Sequence, residues 1–177
     1  MIRKKVPNII FKTRVGDETL EEGGCAIGGE WTNITTDDYF ANKKVVVFSL
    51  PGAFTPTCSS QQLPGFEELY NQFKANGVDE VYCISVNDSF VLNAWFQQMN
   101  IKNVKAIADG NGEFTKGMGM LTDMSVVGFN TRSRRYTMVV DNGNVIKQFN
   151  EPDSTSADPD PYGVSSPETC LKFLGEE

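Results

Sequence analysis

The sequence has 177 residues, of which 40% are hydrophobic and 22% are charged. A chain of this size can bury one proper core, and we expect a single domain over residues 1–177. Its net charge of −7 argues against general binding to nucleic acid or to anionic membranes, because an acidic surface is not attracted to either polyanion.

The sequence contains no histidine, and its four cysteines are far apart. The absence of histidine excludes serine and cysteine nucleophiles activated by imidazole, and it excludes imidazole metal sites. The cysteines form no C-x-x-C pair, so neither a zinc site nor a dithiol redox motif is predicted, and we expect no cofactor. The opening MIRKKVPNIIF lacks the apolar core of a signal peptide, and no segment has the length of a membrane span. We therefore expect a cytoplasmic protein whose cysteines begin as free thiols.

The first third of the chain contains one clear strand. Residues 11–31 give weak signals, which we interpret as short strands and turns that extend the fold at its N terminus. The run KKVVVFSL, residues 43–50, is rich in valine and apolar in its centre, which predicts a strand covered on both faces. This strand ends at Pro51.

The middle of the chain predicts the order β-α-β-α-β. Apolar residues recur at three- and four-residue spacing from Leu63 to Phe73, and the pattern stops at Gly77. This predicts a helix with one buried face and a C-terminal glycine, which Pro64 should kink near its first turns. The next predicted elements are a buried strand, a helix and a short strand, at residues 80–86, 90–99 and 104–108.

The end of the chain predicts a hairpin and a final helix. Two strand-like runs are joined by Asn142-Gly143, which favours a type I′ turn and antiparallel pairing. After a loop at residues 152–163, the sequence Ser166-Pro167-Glu168 predicts the start of a helix that runs to about Leu174. The whole order predicts an α/β protein with a central mixed sheet between helices, the plan of the thioredoxin fold with an N-terminal extension.

Cys58 stands where the first buried strand leads into a helix. Thr55 is a candidate N-cap and Pro56 the first helical residue, so Cys58 is the third. Unpaired backbone N–H groups and the helix dipole favour an anionic sulfur at that position. The alternative is that Cys58 only fills space in the core, and its position alone does not decide between the two.

The segments around Cys58 resemble the peroxiredoxins. PGAFTPTCS contains the P-x-x-x-T-x-x-C pattern of that family, and together with LPGFEELY it is similar to the type-5 subgroup. The resemblance extends along nearly the whole chain through WTNITTDDYF, CISVNDSFVLNAW, DGNGEFTKGMGM and RRYTMVVDNGNV. It implies a thiol-dependent peroxidase that reduces hydrogen peroxide and organic hydroperoxides, and it implies a homodimer packed through surfaces near the active site.

The resemblance also implies the roles of particular residues. Cys58 corresponds to the peroxidatic thiol, Thr55 to the hydroxyl that hydrogen-bonds the sulfur or the peroxide, and Pro51 to a shield for the pocket. The family's catalytic arginine precedes an aromatic residue at the start of the penultimate strand, which corresponds here to Arg135. Gln62 departs from the histidine that is common in the family, which leaves the role of this side chain open.

The other cysteines bear on how the oxidised thiol is reduced. Cys83, in an apolar strand, is expected to belong to the core, and Cys170, in the last helix, to pack or to face solvent. Cys25 lies in the weakly predicted N-terminal region and stays a candidate for the resolving thiol. Type-5 members with an internal disulfide carry that thiol in the loop before the last helix, where this chain has Ser156, Ser165 and Ser166. We therefore expect a one-cysteine cycle with glutathione and glutaredoxin as the reductant, and thioredoxin is the alternative.

Two other classes of function use the same thiol. A thioredoxin-like exchanger would need a second cysteine beside Cys58, and the sequence C-S-S-Q lacks it. A non-enzymatic redox sensor or holdase would use oxidised Cys58 as a switch. Turnover separates that sensor from an enzyme, because a sensor stops after one peroxide.

Overall fold

A computed structural model describes residues 4–19, 26–153, 158 and 160–176 of the protein. The strands are β1 (Ile10–Thr19), β2 (Ala26–Thr35), β3 (Lys44–Leu50), β4 (Glu80–Ser85), β5 (Lys105–Ala108), β6 (Leu121–Asp123), β7 (Thr131–Ser133), β8 (Tyr136–Asp141) and β9 (Asn144–Asn150). The α-helices are α1 (Thr36–Phe40), α2 (Leu63–Glu68), α3 (Tyr70–Ala75), α4 (Ser89–Gln98), α5 (Glu113–Met118) and α6 (Pro167–Gly175). A π-helical turn (Cys58–Gln62) precedes α2, and a 3-10 turn (Ser125–Val127) lies between β6 and β7.

The centre of the fold is a five-stranded sheet in the order β5-β4-β3-β8-β9. Strands β3, β4 and β5 are parallel to one another, whereas β8 is antiparallel to β3 and to β9. Asn142 and Gly143 join β8 to β9 with positive φ angles of 46° and 75°, as a type I′ turn requires. The predicted mixed sheet and its terminal hairpin are confirmed.

Apolar side chains cover both faces of this sheet. Val45 and Val47 of β3 pack on one face in a cluster with α1 and α5, while Val46 and Phe48 pack on the other in a cluster with α2, α3, α4 and α6. The ring of Phe48 stacks on that of Phe66 in α2, with their centroids 4.0 Å apart. Burial on both faces explains why β3 reads as a continuous apolar run. Within the described ranges, no helix combines the length and the apolarity that crossing a membrane requires.

The N-terminal region differs from its prediction. Strands β1 and β2 have ten residues each and pair antiparallel in one long hairpin, instead of forming short strands. Phe11 is buried, but Ile10, Val15 and Trp31 are largely exposed. The sequence signal was weak because apolar side chains stand on both faces of this hairpin, so no clean alternation marks its length.

The helix after Cys58 is interrupted twice. Leu63 donates its N–H to the carbonyl of Cys58, five residues back, which widens the turn just before Pro64. The irregularity expected near Pro64 therefore lies in the turn that precedes it. A second interruption at Leu69, where ψ is 7°, separates α2 from α3 and was not predicted. The glycine stop is confirmed, since Gly77 follows α3 with a φ of 78°.

Candidate active site

Cys58 is fully buried at the start of the helix that follows β3. The helix begins at Pro56, so Cys58 is its third residue, as predicted. Thr55 stands at the N-cap position, and its carbonyl accepts the N–H of Ser59 at 3.0 Å. The Thr55 hydroxyl donates to the carbonyl of Gly52 at 2.7 Å. Because this bond uses the only hydroxyl proton, the lone pairs of the Thr55 oxygen are the part of this group that can bind a further proton donor.

The guanidinium of Arg135 lies beside the sulfur of Cys58. Its Nη1 donates to the Cys58 Sγ at 3.5 Å and also to the Gln62 Oε1. Its Nε donates to the carbonyl of Pro161 at 3.1 Å, and its Nη2 forms an ion pair with Asp160. The side chain of Arg135 is 1% exposed. Partners on three sides therefore hold the planar guanidinium in one orientation, with an N–H directed at the sulfur.

Gln62 connects the arginine to the central sheet. Its Nε2 donates to the carbonyl of Ser49 in β3 at 3.2 Å, while its Oε1 accepts from Arg135. The Gln62 side chain is fully buried. These two bonds use the amide at both ends, so Gln62 fixes Arg135 relative to β3. The sequence left its role open, and the structure makes it a neighbour of the arginine.

A cleft of about 230 Å³ lies next to this cluster. It is lined by Pro51, Thr55, Pro56, Met124, Val127, Phe129 and Asp160. The walls are mostly apolar, with one hydroxyl and one carboxylate among them. Pro51 and Thr55 thus stand in the lining, and Cys58 and Arg135 lie beside it, so the structure brings the four sequence-predicted residues together.

The loop before α6 supplies contacts to Arg135 that were not predicted. Asp160 and Pro161 bind the guanidinium as described above, and the ring of Tyr162 lies 5.5 Å from the Arg135 Cζ. Burial raises the pKa of Tyr162 to about 12, so its hydroxyl is neutral at physiological pH. No local pattern in the sequence marks these loop residues, because their partner lies in another part of the chain.

Glu151 anchors that loop. Its carboxylate is buried, and its Oε1 accepts three hydrogen bonds, from the N–H of Gly163 at 2.6 Å and from the N–H and hydroxyl of Ser165 at 2.8 Å each. Its own N–H donates to the carbonyl of Arg135 at 3.0 Å. Glu151 therefore connects this loop to the backbone of Arg135, whose side chain the loop contacts.

Replacing Glu151 with alanine is expected to lower the free energy of unfolding by about 3 kcal/mol, because the two buried donors of Ser165 and the partly buried N–H of Gly163 lose one charged acceptor. Glu151→Gln is the matched control, since its amide keeps one acceptor oxygen, and a smaller loss of about 1–2 kcal/mol is expected. Urea denaturation followed by circular dichroism measures both values. An alanine variant as stable as the wild type would show that the carboxylate does not hold the loop.

Comparison with known proteins identifies the family. The model of the Redoxin family matches residues 6–164. A peroxiredoxin from Rhizobium etli is 52% identical over 174 residues, which is 98% of this chain and 96% of the relative. The chain belongs to the peroxiredoxin family. It is therefore a thiol peroxidase, an oxidoreductase, and its motifs place it in the type-5 subgroup, as the resemblance implied.

Solved peroxiredoxin structures share the fold. The crystal structure of the Plasmodium falciparum antioxidant protein, a 1-Cys peroxiredoxin, is 38% identical with a TM-score of 0.88, and the match covers 99% of this chain and 100% of that one. Reduced Prx3 from Vibrio vulnificus, in complex with hydrogen peroxide, is 37% identical with a TM-score of 0.82, and the match covers 99% and 97%. The predicted thioredoxin-like fold is confirmed.

The remaining cysteines of this peroxiredoxin have different surroundings. Cys83 in β4 and Cys170 in α6 are both fully buried free thiols. Burial raises the pKa of Cys83 well above its ordinary value, and the neighbouring Cys58 adds to the rise. Burial also raises the pKa of Cys170 to about 12. Cys170 therefore packs instead of facing solvent, and Cys25 lies outside the described residues.

Cys83 and Cys170 are expected to resist alkylation by iodoacetamide in the folded protein between about pH 7 and pH 9, because the thiolate is the reactive form. The raised pKa of Cys170 also makes stability depend on pH. Its contribution to the folded state is complete at pH values below 9.0, the ordinary pKa of the thiol, and is lost as the pH rises toward about 12. Peptide mass spectrometry after labelling in buffer and in urea gives the comparison. Rapid labelling of Cys170 in the folded protein would contradict its burial.

Proposed function

We propose that Cys58 is the peroxidatic cysteine and that hydrogen peroxide and organic hydroperoxides are its substrates. The observation that carries this proposal is the contact of the Arg135 Nη1 with the Cys58 Sγ at 3.5 Å, beside a cleft with mostly apolar walls. A fixed N–H donor beside the sulfur can stabilise the charge that develops during attack on a peroxide, and apolar walls suit the alkyl group of an organic hydroperoxide. The hydrogen peroxide bound to the Vibrio relative supports the same substrate class.

In the proposed reaction the Cys58 thiolate attacks the terminal oxygen of the hydroperoxide. The S–O bond forms as the O–O bond breaks, and the departing oxygen takes a proton from solvent, equivalent to the one that the thiol released, to become water or an alcohol. Sulfur loses two electrons and the peroxide gains them, so the protein is left as a sulfenic acid.

Ionisation of the thiol accounts for only part of the rate. A free thiol with a pKa of about 8.5 is ~3% thiolate at pH 7, so complete ionisation raises the rate at most ~30-fold. The rest must come from stabilising the negative charge that moves from sulfur to the departing oxygen. A preorganised donor at such a position contributes about 3 kcal/mol, and the Arg135 N–H beside the sulfur is placed to do so.

The other site residues have distinct proposed roles. The Thr55 hydroxyl was expected to hydrogen-bond the sulfur or the peroxide. Because its proton is donated to Gly52, we assign its oxygen as the acceptor for the O–H of the incoming peroxide. Pro51 forms part of the wall that shields the thiolate from bulk water. Gln62 keeps Arg135 in position through its bond to Ser49.

We further propose a one-cysteine cycle. Cys83 and Cys170 are buried with raised pKa values, which makes both poor attackers of a sulfenic acid, and Ser165 and Ser166 occupy the loop that precedes α6. The Plasmodium relative, a 1-Cys peroxiredoxin, supports the same cycle. Glutathione attacks the Cys58 sulfenic acid, releasing water and leaving a mixed disulfide. Glutaredoxin then reduces that disulfide with a second thiol, and thioredoxin is the alternative reductant.

Intact-mass and peptide analysis after peroxide treatment tests the cycle. With glutathione present, a mass increase of one glutathione on Cys58 is expected, and the adduct should disappear when glutaredoxin is added. Cys25→Ser, Cys83→Ser and Cys170→Ser variants are the controls and should form the same adduct. An intramolecular disulfide that appears in its place, and that is lost in one of these variants, would refute the one-cysteine cycle and identify the resolving residue.

We also propose that residues 1–177 form a single domain and that the protein is cytoplasmic.

We further propose that the protein is a homodimer, because apolar side chains near the cleft offer a surface for a second copy. Phe54 is 49% exposed, Val126 is 67% exposed and Val127 is 41% exposed, and Val127 also lines the cleft. Sedimentation analysis at micromolar concentration should find a dimer, and a monomer would remove this proposal.

A further inference from the structure

Asp160 is the one charged side chain in the lining of the cleft, as far as the described residues show. Its carboxylate forms an ion pair with the Nη2 of Arg135 and is 32% exposed, whereas the arginine side chain is 1% exposed. A peroxide that enters the cleft therefore meets the carboxylate before it meets the guanidinium. The proposed mechanism gives Asp160 no chemical step.

We propose that Asp160 determines specificity by excluding anionic peroxides from the cleft, so that uncharged hydroperoxides are the substrates of Cys58. This inference rests on the proposed role of Cys58 as the attacking thiol. The substrate class is an uncharged hydroperoxide, either hydrogen peroxide or an alkyl hydroperoxide whose alkyl group contacts the apolar wall. Peroxides that carry a negative charge near the O–O bond are the class that is rejected.

Charge balance at the site is the physical reason. Arg135 alone would attract anions to the sulfur, but its pairing with Asp160 cancels that charge at the mouth of the cleft. The Cys58 thiolate adds one negative charge. An anionic peroxide must therefore approach two negative charges with a single cation between them, and apolar walls weaken the screening that water would supply. An uncharged peroxide meets no such repulsion.

The part of the loop that follows Asp160 holds it in this place. The N–H of Asp160 lies 3.4 Å from the Asp158 Oδ1, and the carbonyl of the next residue, Pro161, accepts the Arg135 Nε at 3.1 Å. Further along, Glu151 binds the N–H of Gly163. Because the chain directly after Asp160 is bound to Arg135 and to Glu151, its charge stays at the cleft when substrate arrives.

Among the residues that the structure describes, Arg132 is the other cation near this wall. Its Nε and Nη1 donate to the carbonyls of Phe129 and Val86, and it does not line the cleft. Arg134, the next cation along the chain, pairs with Asp153 at 2.7 Å. Asp160 therefore sets the charge that a substrate first meets.

The test compares two peroxides of nearly the same shape, tert-butyl hydroperoxide and its analogue in which a carboxylate replaces one methyl group. In each, the Cys58 sulfur attacks the terminal oxygen of the hydroperoxide. Intrinsic differences between the two peroxides cancel when the ratio of their rate constants is compared between the wild type and a variant, so the change in this ratio reports the effect of the Asp160 charge. Stopped-flow measurement of Cys58 oxidation supplies both constants. In Asp160→Asn, the rate constant for the anionic peroxide divided by that for the uncharged peroxide is expected to rise roughly tenfold.

Salt gives a second readout that a merely structural role would not change. Raising the ionic strength from about 0.01 M to about 1 M shortens the Debye length from about 30 Å to about 3 Å. In the wild type, the rate with the anionic peroxide should rise with salt while the rate with the uncharged one stays constant. In Asp160→Asn the rise with salt should be clearly smaller, since only the repulsion by the net charge of the whole protein remains.

Two further variants separate charge from position. Asp153→Asn removes the same charge from the other end of the loop, where Asp153 pairs with Arg134, and should leave the ratio unchanged. Asp160→Glu keeps the charge, so its ratio should stay low even if both rates fall. Equal ratios in the wild type and Asp160→Asn, or no salt effect in the wild type, would overturn the proposal. If the proposed role of Cys58 were itself wrong, neither peroxide would oxidise Cys58, and this result differs from equal ratios in the two proteins.

Discussion

Replacing Arg135 with methionine is expected to lower the rate constant for oxidation of Cys58 by hydrogen peroxide at least about hundredfold, because the change removes a preorganised donor beside the reacting sulfur. The Arg135 Nη1 donates to the Cys58 Sγ, and the guanidinium is held by Gln62, Pro161 and Asp160. Methionine fills a similar volume but carries no donor and no charge. Stopped-flow mixing of the reduced protein with hydrogen peroxide measures the loss.

Controls are needed because this change also leaves the buried Gln62 Oε1 without a donor, at a cost of about 1–3 kcal/mol of stability. Circular dichroism must show that the variant is folded. Arg132→Met removes a neighbouring arginine that contacts the carbonyls of Phe129 and Val86 but not the Cys58 sulfur, and its rate should stay within about twofold of the wild type. Arg135→Lys should recover only part of the rate, since an ammonium cannot reproduce the planar set of contacts. A folded Arg135→Met protein with the wild-type rate would exclude Arg135 from the chemistry.

Replacing Thr55 with valine is expected to lower the same rate constant about hundredfold, a loss typical of removing one preorganised hydrogen-bonding group. Valine has nearly the shape of threonine but no oxygen. With the Thr55 proton donated to Gly52, the hydroxyl oxygen is oriented to accept the peroxide O–H and to align the O–O bond with the Cys58 sulfur. The loss should appear in the rate of Cys58 oxidation, measured by stopped flow.

Thr55→Ser is the matched control for that change. Serine keeps the oxygen and can donate to the same Gly52 carbonyl, so it should retain most of the rate. If the valine and serine variants react equally fast, the hydroxyl has no part in the reaction and Thr55 serves only the start of the helix.

The sequence predicted those parts of the fold whose signals are local. Val45, Val46 and Val47 form an unbroken apolar run because β3 is buried on both faces. Asn142 and Gly143 are the residues that accept the positive φ angles of a type I′ turn. Such patterns depend only on neighbouring residues, and a single sequence is enough to read them.

Elements without a local signal were missed. The hairpin of β1 and β2 has apolar residues on both faces, so its strands were interpreted as short. The interruption at Leu69 has no glycine or proline directly beside it, since its neighbours are Glu68 and Tyr70. Phe54, just before the N-cap, adopts a φ of 62°, and nothing in an aromatic side chain indicates that conformation. These features depend on packing against the rest of the molecule.

The candidate site divides in the same way. Thr55, Pro56 and Cys58 are close in sequence, so the start of the helix could be predicted from them alone. Arg135 is 77 residues from Cys58, and only the resemblance to a family suggested it before the pairing of β3 with β8 brought it to the sulfur. Asp160 contacts the arginine from a loop, where no periodicity marks a functional residue.

Peroxide consumption by the wild type and by Cys58→Ser, with glutathione and glutaredoxin in one assay and thioredoxin in a parallel one, tests whether Cys58 is the peroxidatic thiol of an enzyme. The wild type is expected to consume many peroxides per chain with glutathione and glutaredoxin, and Cys58→Ser none above background. One peroxide per chain would indicate a redox sensor. Equal rates in the two proteins would show that Cys58 is not the attacking thiol.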